Sequence, residues 1–373
     1  MGDVFEQTSN LVNPKEDEIE LWSLTVEDGL TKKSDRYNRE FLVKKDDNFK
    51  EVRPGDIVYN PMNMTLGAVG YNGMAKSVAV SGYYTTMVAK ENYDTYYINT
   101  WLKSPQAIRL YRTYATGSLI EKQRVQFPTL SIIPVTFPKY EEQTKIGSYF
   151  HSLDHLITLH QRKCEQTKNL KKYMLQKMFP QNGAKVPEIR FNGFTHDWEQ
   201  RKLSELLEKY EDPVETPHDG YERVGIRSHA KGTFHSFVEP GKELDTAKMY
   251  RVAADKFILN ITFAWEHAVA ITDNNDAGKL VSHRFPQFSF NPKLKPHFFK
   301  YLMLDKKFRE HLELSSPGGA GRNRVLKISD MLKYEIKLPS IEEQIKIGEY
   351  FDSLDYLITL HQRQHKLHLN MLL

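Results

Sequence analysis

Apolar residues recur at heptad spacing along a stretch in the middle of the chain. Ile146 and Leu153 lie seven residues apart, and Phe150 and Ile157 repeat the same interval four residues later. A stripe with this period is typical of a helix that packs against another helix. The pattern therefore predicts a long helix of the coiled-coil type that begins near Glu141.

The same helix occurs twice. The segment EEQTKIGSYFHSLDHLITLHQR, which begins at Glu141, returns as EEQIKIGEYFDSLDYLITLHQR, which begins at Glu342. Because each copy carries an apolar stripe that needs a partner, we expect the two helices to form an intramolecular antiparallel coiled coil. The residues expected along its seam are Ile146, Phe150, Leu153, Ile157, Ile347, Phe351, Leu354 and Ile358.

The two copies differ only at positions spaced four, three and four residues apart. On a helix with 3.6 residues per turn, positions with this spacing share one face. That face distinguishes the two helices, whereas the rest of their surface is common to both. The differing pairs are Thr144/Ile345, Ser148/Glu349, His151/Asp352 and His155/Tyr356.

His160 and His361 occupy matching positions on the predicted seam. Two histidines at such positions could form a metal-binding or pH-sensitive site, or they could be polar seam residues that fix the register of the pair. The pattern favours the second interpretation. Cys164 is likewise interpreted as a small seam residue.

The sequence also marks the ends of these helices. Ser340 is suited to cap the second helix, and Glu343 three residues later would complete a capping box. Phe179 and Pro180 are expected to end the first helix. From Glu141 to that point a continuous helix has about 39 residues and a length of about 58 Å. A helix of this length is expected to act as a spacer.

A globular segment precedes each helix. Short β-rich runs such as 56–59 and 256–259 are separated by Gly, Pro, Asn and Asp turns, and helical stretches follow at 97–111 and 295–314. The predicted fold class is α+β, with two mixed α/β domains separated by the two long helices in a pseudo-twofold arrangement. The predicted bounds are 1–138 and 181–339 for the domains, and 139–180 and 340–373 for the spacer helices.

Composition narrows the class of protein. Of the 373 residues, 40% are hydrophobic and 27% are charged, which is enough for sizeable cores in more than one domain. The net charge of +4 is compatible with nucleic-acid binding but does not establish it. Cys164 is the one cysteine, and the N-terminal region lacks the pattern of a secretory leader, so a cytoplasmic protein is expected. No apolar run reaches the roughly 18 to 20 residues of a membrane-spanning helix.

Two motifs resemble loops of enzymes but lack residues that those loops require. Gly318–Arg322 is rich in glycine, but no Gly-Lys-Ser/Thr follows it, so it is not a Walker loop. Asn60–Asn63 resembles the Asn-Pro-Pro-aromatic loop of amino methyltransferases, but it lacks the second proline and the aromatic residue. We therefore expect a non-catalytic chain that has neither a metal site nor a cofactor of its own.

Basic loops lie at corresponding places in the two domains. Glycine lets backbone amides approach phosphates and the flanking cations neutralise them, although a solvated turn would have the same composition. Base readout requires Arg, Lys, Asn or Gln in the major groove. The candidate DNA-binding residues are Lys32, Lys33, Arg36, Arg39, Lys122 and Arg124 in the first domain, and Arg227, His229, Lys231, Arg284, Arg322, Asn323 and Arg324 in the second.

With these features in place, the chain resembles the specificity subunits of type I restriction-modification systems along nearly its whole length. The resemblance rests on Phe137–Gln143 and Leu338–Gln344, each of which leads into Ile-Gly-x-Tyr-Phe-x-Ser-Leu-Asp. It also rests on Pro187–Leu203, which is similar to the lead-in of a target-recognition domain.

The resemblance implies a division of labour. Each domain would be a target-recognition domain that reads one half of a bipartite, asymmetric sequence in double-stranded DNA. The helices would hold the domains apart and dock two methyltransferase subunits, which would bind S-adenosylmethionine and modify adenine. Restriction subunits, which supply motor and nuclease activity, would complete the assembly.

Two features depart from the family pattern. Family members usually carry a lead-in before the first domain as well, whereas Met1 aligns roughly with Leu203. The second helix stops before any counterpart of Lys171–Phe179. Two other classes of protein remain open at this point: a stand-alone DNA-binding regulator with two domains, and a coiled-coil scaffold that does not bind DNA.

Overall fold

The structure is a computed structural model that describes residues 1–27, 29–32, 48–117, 123–181, 183–244, 248–318 and 324–372. They form two compact units. The first unit comprises Met1–Leu159 with His365–Leu373, and the second unit comprises His160–Gln364. Both are mixed α/β structures, which confirms the fold class expected from the sequence.

The first unit is built from short strands followed by helices. Its strands are β1 (Phe5–Thr8), β2 (Leu11–Val12), β3 (Trp22–Thr25), β4 (Gly29–Lys32), β5 (Phe49–Val52), β6 (Ile57–Tyr59), β7 (Val69–Tyr71), β8 (Val78–Ser81) and β9 (Thr85–Ala89). They form a core sheet in the order β1-β9-β6-β7, an outer sheet β2-β5-β8 and a hairpin β3-β4. The helices are α1 (Thr95–Leu102), α2 (Pro105–Tyr114), α3 (Phe127–Ser131) and the long α4 (Tyr140–Lys177), which continues into the second unit.

Local sequence explains these elements. All three residues of β6 are fully buried, as a short uninterrupted apolar run predicts. Gly55 makes the turn before β6 at φ +90°, a conformation that glycine adopts without strain. Helix α1 starts where the Asp94 carboxylate accepts a hydrogen bond of 2.7 Å from the backbone N–H of Tyr97.

The second unit repeats this plan with additional strands. The strands are β10 (Glu199–Lys202), β11 (Leu207–Tyr210), β12 (Pro213–Glu215), β13 (Tyr221–Ile226), β14 (Thr233–Val238), β15 (Lys248–Arg251), β16 (Phe257–Leu259), β17 (Val269–Ile271), β18 (Leu280–Val281), β19 (Gln287–Phe290) and β20 (Glu335–Leu338). The helices are α5 (Pro296–Leu302), α6 (Lys306–Leu314), α7 (Ile328–Met331) and α8 (Ile341–Leu372), whose last residues belong to the first unit.

The core sheet is the same in both units. The order β11-β19-β16-β17 in the second unit reproduces β1-β9-β6-β7 in the first. The registers also correspond, since Phe5 pairs with Ala89 in one sheet and Leu207 pairs with Phe290 in the other. The internal repeat detected in the helices therefore extends to the sheets that support them.

The outer sheets differ between the units. Among the described residues, the outer sheet of the first unit has the three strands β2-β5-β8, all antiparallel, whereas that of the second has five strands in the order β12-β15-β18-β13-β14. One pair in the larger sheet is parallel, with Arg223 opposite Leu280. The divergence between the halves is therefore concentrated in the outer sheets.

Helices α4 and α8 pack together in an antiparallel sense. In the second unit the Nδ1 atoms of His160 and His361 lie 3.2 Å apart, and Cys164 Sγ lies 4.0 Å from the carbonyl oxygen of Ile358. Residue numbers rise along α4 while those of its partners fall along α8, so the predicted antiparallel pairing is confirmed. The 38 residues of α4 give it a length of about 57 Å.

The start of α8 differs from the predicted capping box in one respect. Ser340 Oγ accepts a hydrogen bond of 3.3 Å from the backbone N–H of Glu343, as expected. The Glu343 carboxylate does not return to Ser340 but binds the Arg190 guanidinium through two hydrogen bonds of 2.7 Å. A charged, bidentate partner is stronger than a backbone amide, which explains the exchange.

Candidate nucleic-acid interface

The loop between β13 and β14 presents three of the predicted DNA-binding residues. Arg227, His229 and Lys231 alternate along this loop and all three are exposed. His229 and Ala230 have positive φ, and Gly232 follows at φ +82°. The loop is held in this tight shape by a hydrogen bond of 2.9 Å from the His229 N–H to the Glu266 carbonyl oxygen.

A single turn, residues 260–268, connects this loop to two other basic segments. The Ile261 N–H donates to the Arg284 carbonyl oxygen at 3.0 Å, and the Leu326 N–H donates to the Ile261 carbonyl oxygen at 2.8 Å. The backbone of Arg284 is therefore bonded to the same turn as the segment that begins at Arg324. Five predicted residues of the second domain converge here: Arg227, His229, Lys231, Arg284 and Arg324.

The arginines of this cluster are already positioned by neighbouring side chains. The Arg227 guanidinium lies 5.2 Å from the centroid of the Phe234 ring and donates a hydrogen bond to the carbonyl oxygen of Thr233. The Arg324 guanidinium lies 5.5 Å from the Trp265 ring and 3.4 Å from the Glu313 carboxylate. Stacking on a ring orders a guanidinium while leaving its other donors for a ligand.

A cavity of about 360 Å³ opens among these segments. Ser228 Oγ, on its wall, donates a hydrogen bond of 2.7 Å to Glu266 Oε2. The lining of the cavity combines aliphatic and aromatic side chains with a few polar ones, as is common for ligand-binding cavities. The sequence reasoning missed the cavity because its lining comes from several strands and loops that are separate in the chain, including Ile226, Phe234, Asn260, Phe263, Ser282 and Phe285.

Fewer of the predicted DNA-binding residues lie in the described part of the first unit. Arg124 is exposed and pairs with Thr116 through backbone hydrogen bonds of 2.9 and 3.0 Å. The next N–H, that of Val125, donates to the Pro61 carbonyl oxygen at 2.9 Å, which matches the bond between Leu326 and Ile261. Predicted residues that lie outside the described part of the chain are Lys33, Arg36, Arg39, Lys122, Arg322 and Asn323.

Lys32 lies at the end of the β3-β4 hairpin, where its Nζ is 3.4 Å from Glu20. Lys76 also contacts this carboxylate, at 3.0 Å. The hydrogen bond from Lys76, together with that from Trp22, lowers the pKa of Glu20 to about 2. Lys32 is exposed, and ion pairs at such positions are weak enough to exchange for a phosphate.

The predicted seam residues lie at two kinds of place. Ile347, Phe351 and Leu354 are buried in the main apolar core of the second unit, together with Met178 at the end of the first helix. Ile146 packs against the core of the first unit. Of the others, Leu153 is buried, whereas Phe150, Ile157 and Ile358 are partly exposed.

A polar network that sequence reasoning missed links α4, α5 and α8 in the second unit. The Tyr301 hydroxyl donates to Asp352 at 2.6 Å and lies 2.8 Å from Asp355. Lys171 Nζ, on α4, donates to Asp355 at 2.5 Å, and Lys300 donates to Asp352 at 2.7 Å. Burial raises the pKa of Tyr301, so it remains a hydrogen-bond donor. The available signal was Asp355, which recurs as Asp154 in the first copy of the repeat.

The four positions that distinguish the helix copies gather at one groove in the second unit. Ile345, Glu349, Asp352 and Tyr356 all line a groove of about 890 Å³ between α8 and the start of α5. Tyr356 is 67% exposed. The face that was predicted to differ between the copies is therefore an accessible surface at the second copy.

Two kinds of feature are absent from the described residues. No helix in the described ranges is long and apolar enough to cross a membrane. Among the same residues, no group of three or more His, Cys, Asp and Glu side chains has a geometry that could hold a metal ion.

Comparison with known proteins agrees with the fold. Residues 195–370 match the family described as the type I restriction modification DNA specificity domain. The chain is similar to the type I restriction enzyme MjaVIII specificity subunit of Methanocaldococcus jannaschii, with 24% identity over 353 residues, 89% of this chain and 80% of that protein.

The fold has also been observed before. The crystal structure of a type I restriction-modification system S subunit from M. genitalium matches all of this chain and 92% of its own, with a TM-score of 0.58 and 12% identity. At this identity the likeness concerns the fold alone. The matched domain and the relative from Methanocaldococcus jannaschii, together with the resembling motifs, show that the chain is similar to the specificity subunits of type I restriction-modification systems.

Proposed function

We propose that this chain reads a bipartite, asymmetric target in double-stranded DNA and docks the subunits that act on it. Each of its two domains would contact one half of the target. The observation that carries the proposal is the uneven divergence of the repeat: the core sheets and long helices are shared, whereas the outer sheets differ. Two domains that recognise different DNA sequences need different contact surfaces. Two helices that bind copies of the same partner need similar ones.

In the second domain, the basic cluster around residues 260–268 is the proposed DNA contact. Arg227, Lys231 and Arg284 are exposed cations on segments that are bonded to one turn. Cations of this kind neutralise phosphates and supply most of the binding free energy. An arginine that enters the major groove can instead pair with guanine through two hydrogen bonds, which discriminates between bases by about 1 to 3 kcal/mol.

The long helices are the proposed docking surface for two adenine methyltransferase subunits. Large apolar side chains remain exposed along them, including Tyr149 at 52%, Leu170 at 45% and Tyr173 at 49%. Exposed aromatic residues on a helix are common anchors of protein interfaces. The partner would bind S-adenosylmethionine and perform the methyl transfer, so this chain would supply recognition and position rather than catalysis. Restriction subunits would join the same assembly.

The test is a reconstitution with a cognate adenine methyltransferase subunit. DNA of mixed sequence is incubated with S-adenosylmethionine and with each protein alone or with both, and the methylated adenines are mapped. We expect sequence-specific methylation by the mixture only. Tight, specific DNA binding by this chain with no effect on methylation would instead support a stand-alone regulator, and failure of every mixture to bind DNA would support a scaffold.

A further inference from the structure

The outer sheet of the second unit has a gap beside β13. Strand β18 has only two residues and pairs with β13 at one position, where Arg223 lies opposite Leu280. Within the described ranges, residues 224–226 of β13 therefore pair with β14 alone. The cavity of about 360 Å³ lies against this stretch and is lined by all three residues. It stands where a longer β18 would have continued the sheet.

An exposed aromatic ring lies at the mouth of this cavity. The exposed residues of the lining are Arg223, Phe234 and Leu244. Phe234 pairs with Gly225 across β13 and β14, and a Cβ atom on that glycine would collide with the end of the Phe234 ring. The Arg227 guanidinium lies 5.2 Å from the centroid of the same ring, which is 39% exposed. The glycine therefore makes room for a ring that a ligand can reach.

Two polar side chains of the lining have one group each available for a ligand. Asn260 Oδ1 accepts hydrogen bonds from the Thr262 N–H at 3.0 Å and from Thr262 Oγ1 at 2.6 Å. Glu266 Oε2 accepts from Ser228 Oγ at 2.7 Å. In the part of the chain that the structure describes, Asn260 Nδ2 and Glu266 Oε1 form no hydrogen bond. The cavity thus offers one donor and one acceptor on side chains that the protein already orients.

The rest of the lining adds flat apolar surface and a cation. Phe263 and Phe285 contribute two further rings. Arg223 Nε donates a hydrogen bond of 2.9 Å to Ser236 Oγ, which positions the guanidinium and leaves its terminal nitrogens for a ligand. Aromatic rings bind the faces of planar heterocycles, and guanidinium groups bind phosphates. The combination matches a base with a phosphate attached.

The size of the cavity and its polar groups both suit a single base. Pockets for small molecules have volumes of roughly 300 to 1,000 Å³, so this cavity of about 360 Å³ is among the small ones. Every nucleobase carries a hydrogen-bond donor beside an acceptor on its Watson–Crick edge. Enzymes that take a base out of the helix bind it through this edge and pack its faces against aromatic or apolar side chains.

We propose that the cavity is a nucleobase-binding site. Glu266 accepts a hydrogen bond from the base, Asn260 donates one to the neighbouring acceptor, and Phe234 packs on the base at the mouth. Arg223 binds the attached phosphate. The base belongs either to a DNA strand, from which it is extruded, or to a free nucleotide, and the site recognises the same chemistry in both.

Extrusion from DNA rests on the proposed function, because the exposed Arg227 and Arg284 would hold the strand beside the mouth. Taking a base out of the helix costs least where the base is mismatched. Binding of a free nucleotide needs no contact with DNA. The two sources can therefore be tested separately, and the site can be separated from the proposed function.

The first arm of the test uses the full chain and a short duplex with one 2-aminopurine opposite a mismatched base. This base fluoresces more strongly when it leaves the stack, and at low salt phosphate contacts hold DNA of any sequence. We expect the fluorescence to rise several-fold when the chain binds. Glu266→Gln preserves the size of the side chain but presents an amide donor in place of an acceptor, and Phe234→Ala removes the ring, so both should reduce the rise strongly.

The second arm is a calorimetric titration with each of the four deoxynucleoside monophosphates. Glu266→Gln should weaken nucleotide binding by about tenfold, since the base loses its acceptor. Glu239→Gln is the matched control, because Glu239 is exposed and lies outside the lining of the cavity. Its binding and fluorescence should equal those of the unaltered chain, and the melting temperature of each variant is compared to confirm that it is folded.

The outcomes separate the possibilities. A fluorescence rise that both variants reduce assigns the base to DNA, and nucleotide binding without such a rise assigns it to a free nucleotide. Loss of all DNA binding with nucleotide binding retained would contradict the proposed function but not the site. No response in either arm, or responses that Glu266→Gln and Phe234→Ala leave unchanged, would overturn the proposal.

Discussion

The core sheets of the two units agree strand for strand, whereas the outer sheets, as far as the structure describes them, differ in strand number, order and direction. The helices that follow them show the same contrast at a finer scale, with one differing face on an otherwise repeated surface. The comparison indicates that two demands act on this chain: one preserves the frame and the long helices, and the other allows the outer surfaces to diverge. The same comparison shows that identical sequences need not have identical surroundings.

The largest expected effect is a difference in stability loss between substitutions of two phenylalanines that occupy the same position in the two copies of the repeat. Phe351 is fully buried and packs against Tyr301 and Phe179, whereas Phe150 is partly exposed. Phe351→Ala is therefore expected to lower the free energy of unfolding by about 3 to 5 kcal/mol. Phe150→Ala should cost about 1 kcal/mol, because less apolar area returns to water. Urea unfolding followed by circular dichroism measures both, and equal losses would mean that the two helix starts are packed alike.

A similar contrast is expected for two glutamates. Glu343→Ala leaves the Arg190 guanidinium without its partner in a mostly buried position and should cost about 3 kcal/mol. Glu142→Ala, the same change in the first copy, removes an exposed side chain and should change stability by less than about 0.5 kcal/mol. The same unfolding measurement applies. A large loss on Glu142→Ala would reveal a partner that the described residues do not include.

The contrast also bears on what could be predicted from sequence. The helices, their antiparallel pairing and the buried strand β6 follow from local periodicity, because residues close in sequence determine them. The Arg190–Glu343 pair does not follow, since its partners lie far apart in the chain and nothing local marks Arg190 as buried. The basic cluster was predicted residue by residue. Its convergence on residues 260–268 was not, because backbone hydrogen bonds among separate loops bring it together.

The smallest expected effect concerns one position in the two matching turns. His267 is buried and its Nε2 lies 2.9 Å from the Met303 carbonyl oxygen, whereas Gly67 stands at this place in the first unit. Burial lowers the pKa of His267. Below the unfolded pKa of about 6.5, the unfolded chain therefore binds a proton that the folded chain does not, and stability falls.

The measurement is the melting temperature of the second unit as the pH is lowered from about 7 to about 5. The unaltered chain should show a decrease that His267→Gly reduces, since the substitution removes the titrating group. Gly67→Ala in the first unit serves as the comparison and should leave the slope with pH unchanged. The same slope for the His267→Gly and unaltered chains would assign the pH dependence to other groups.

The central claim is that each domain chooses its own half of the DNA target, and the most direct test maps methylation by a chain with only one domain altered. Arg227→Ala and Arg284→Ala are introduced together, with Lys306→Ala on the exposed surface of α6 as the control, and each chain is combined with the methyltransferase subunit. The account predicts that one half of the methylated sequence becomes relaxed or weak while the other half is retained. Unchanged specificity in both halves, or an equal loss in both, would contradict it.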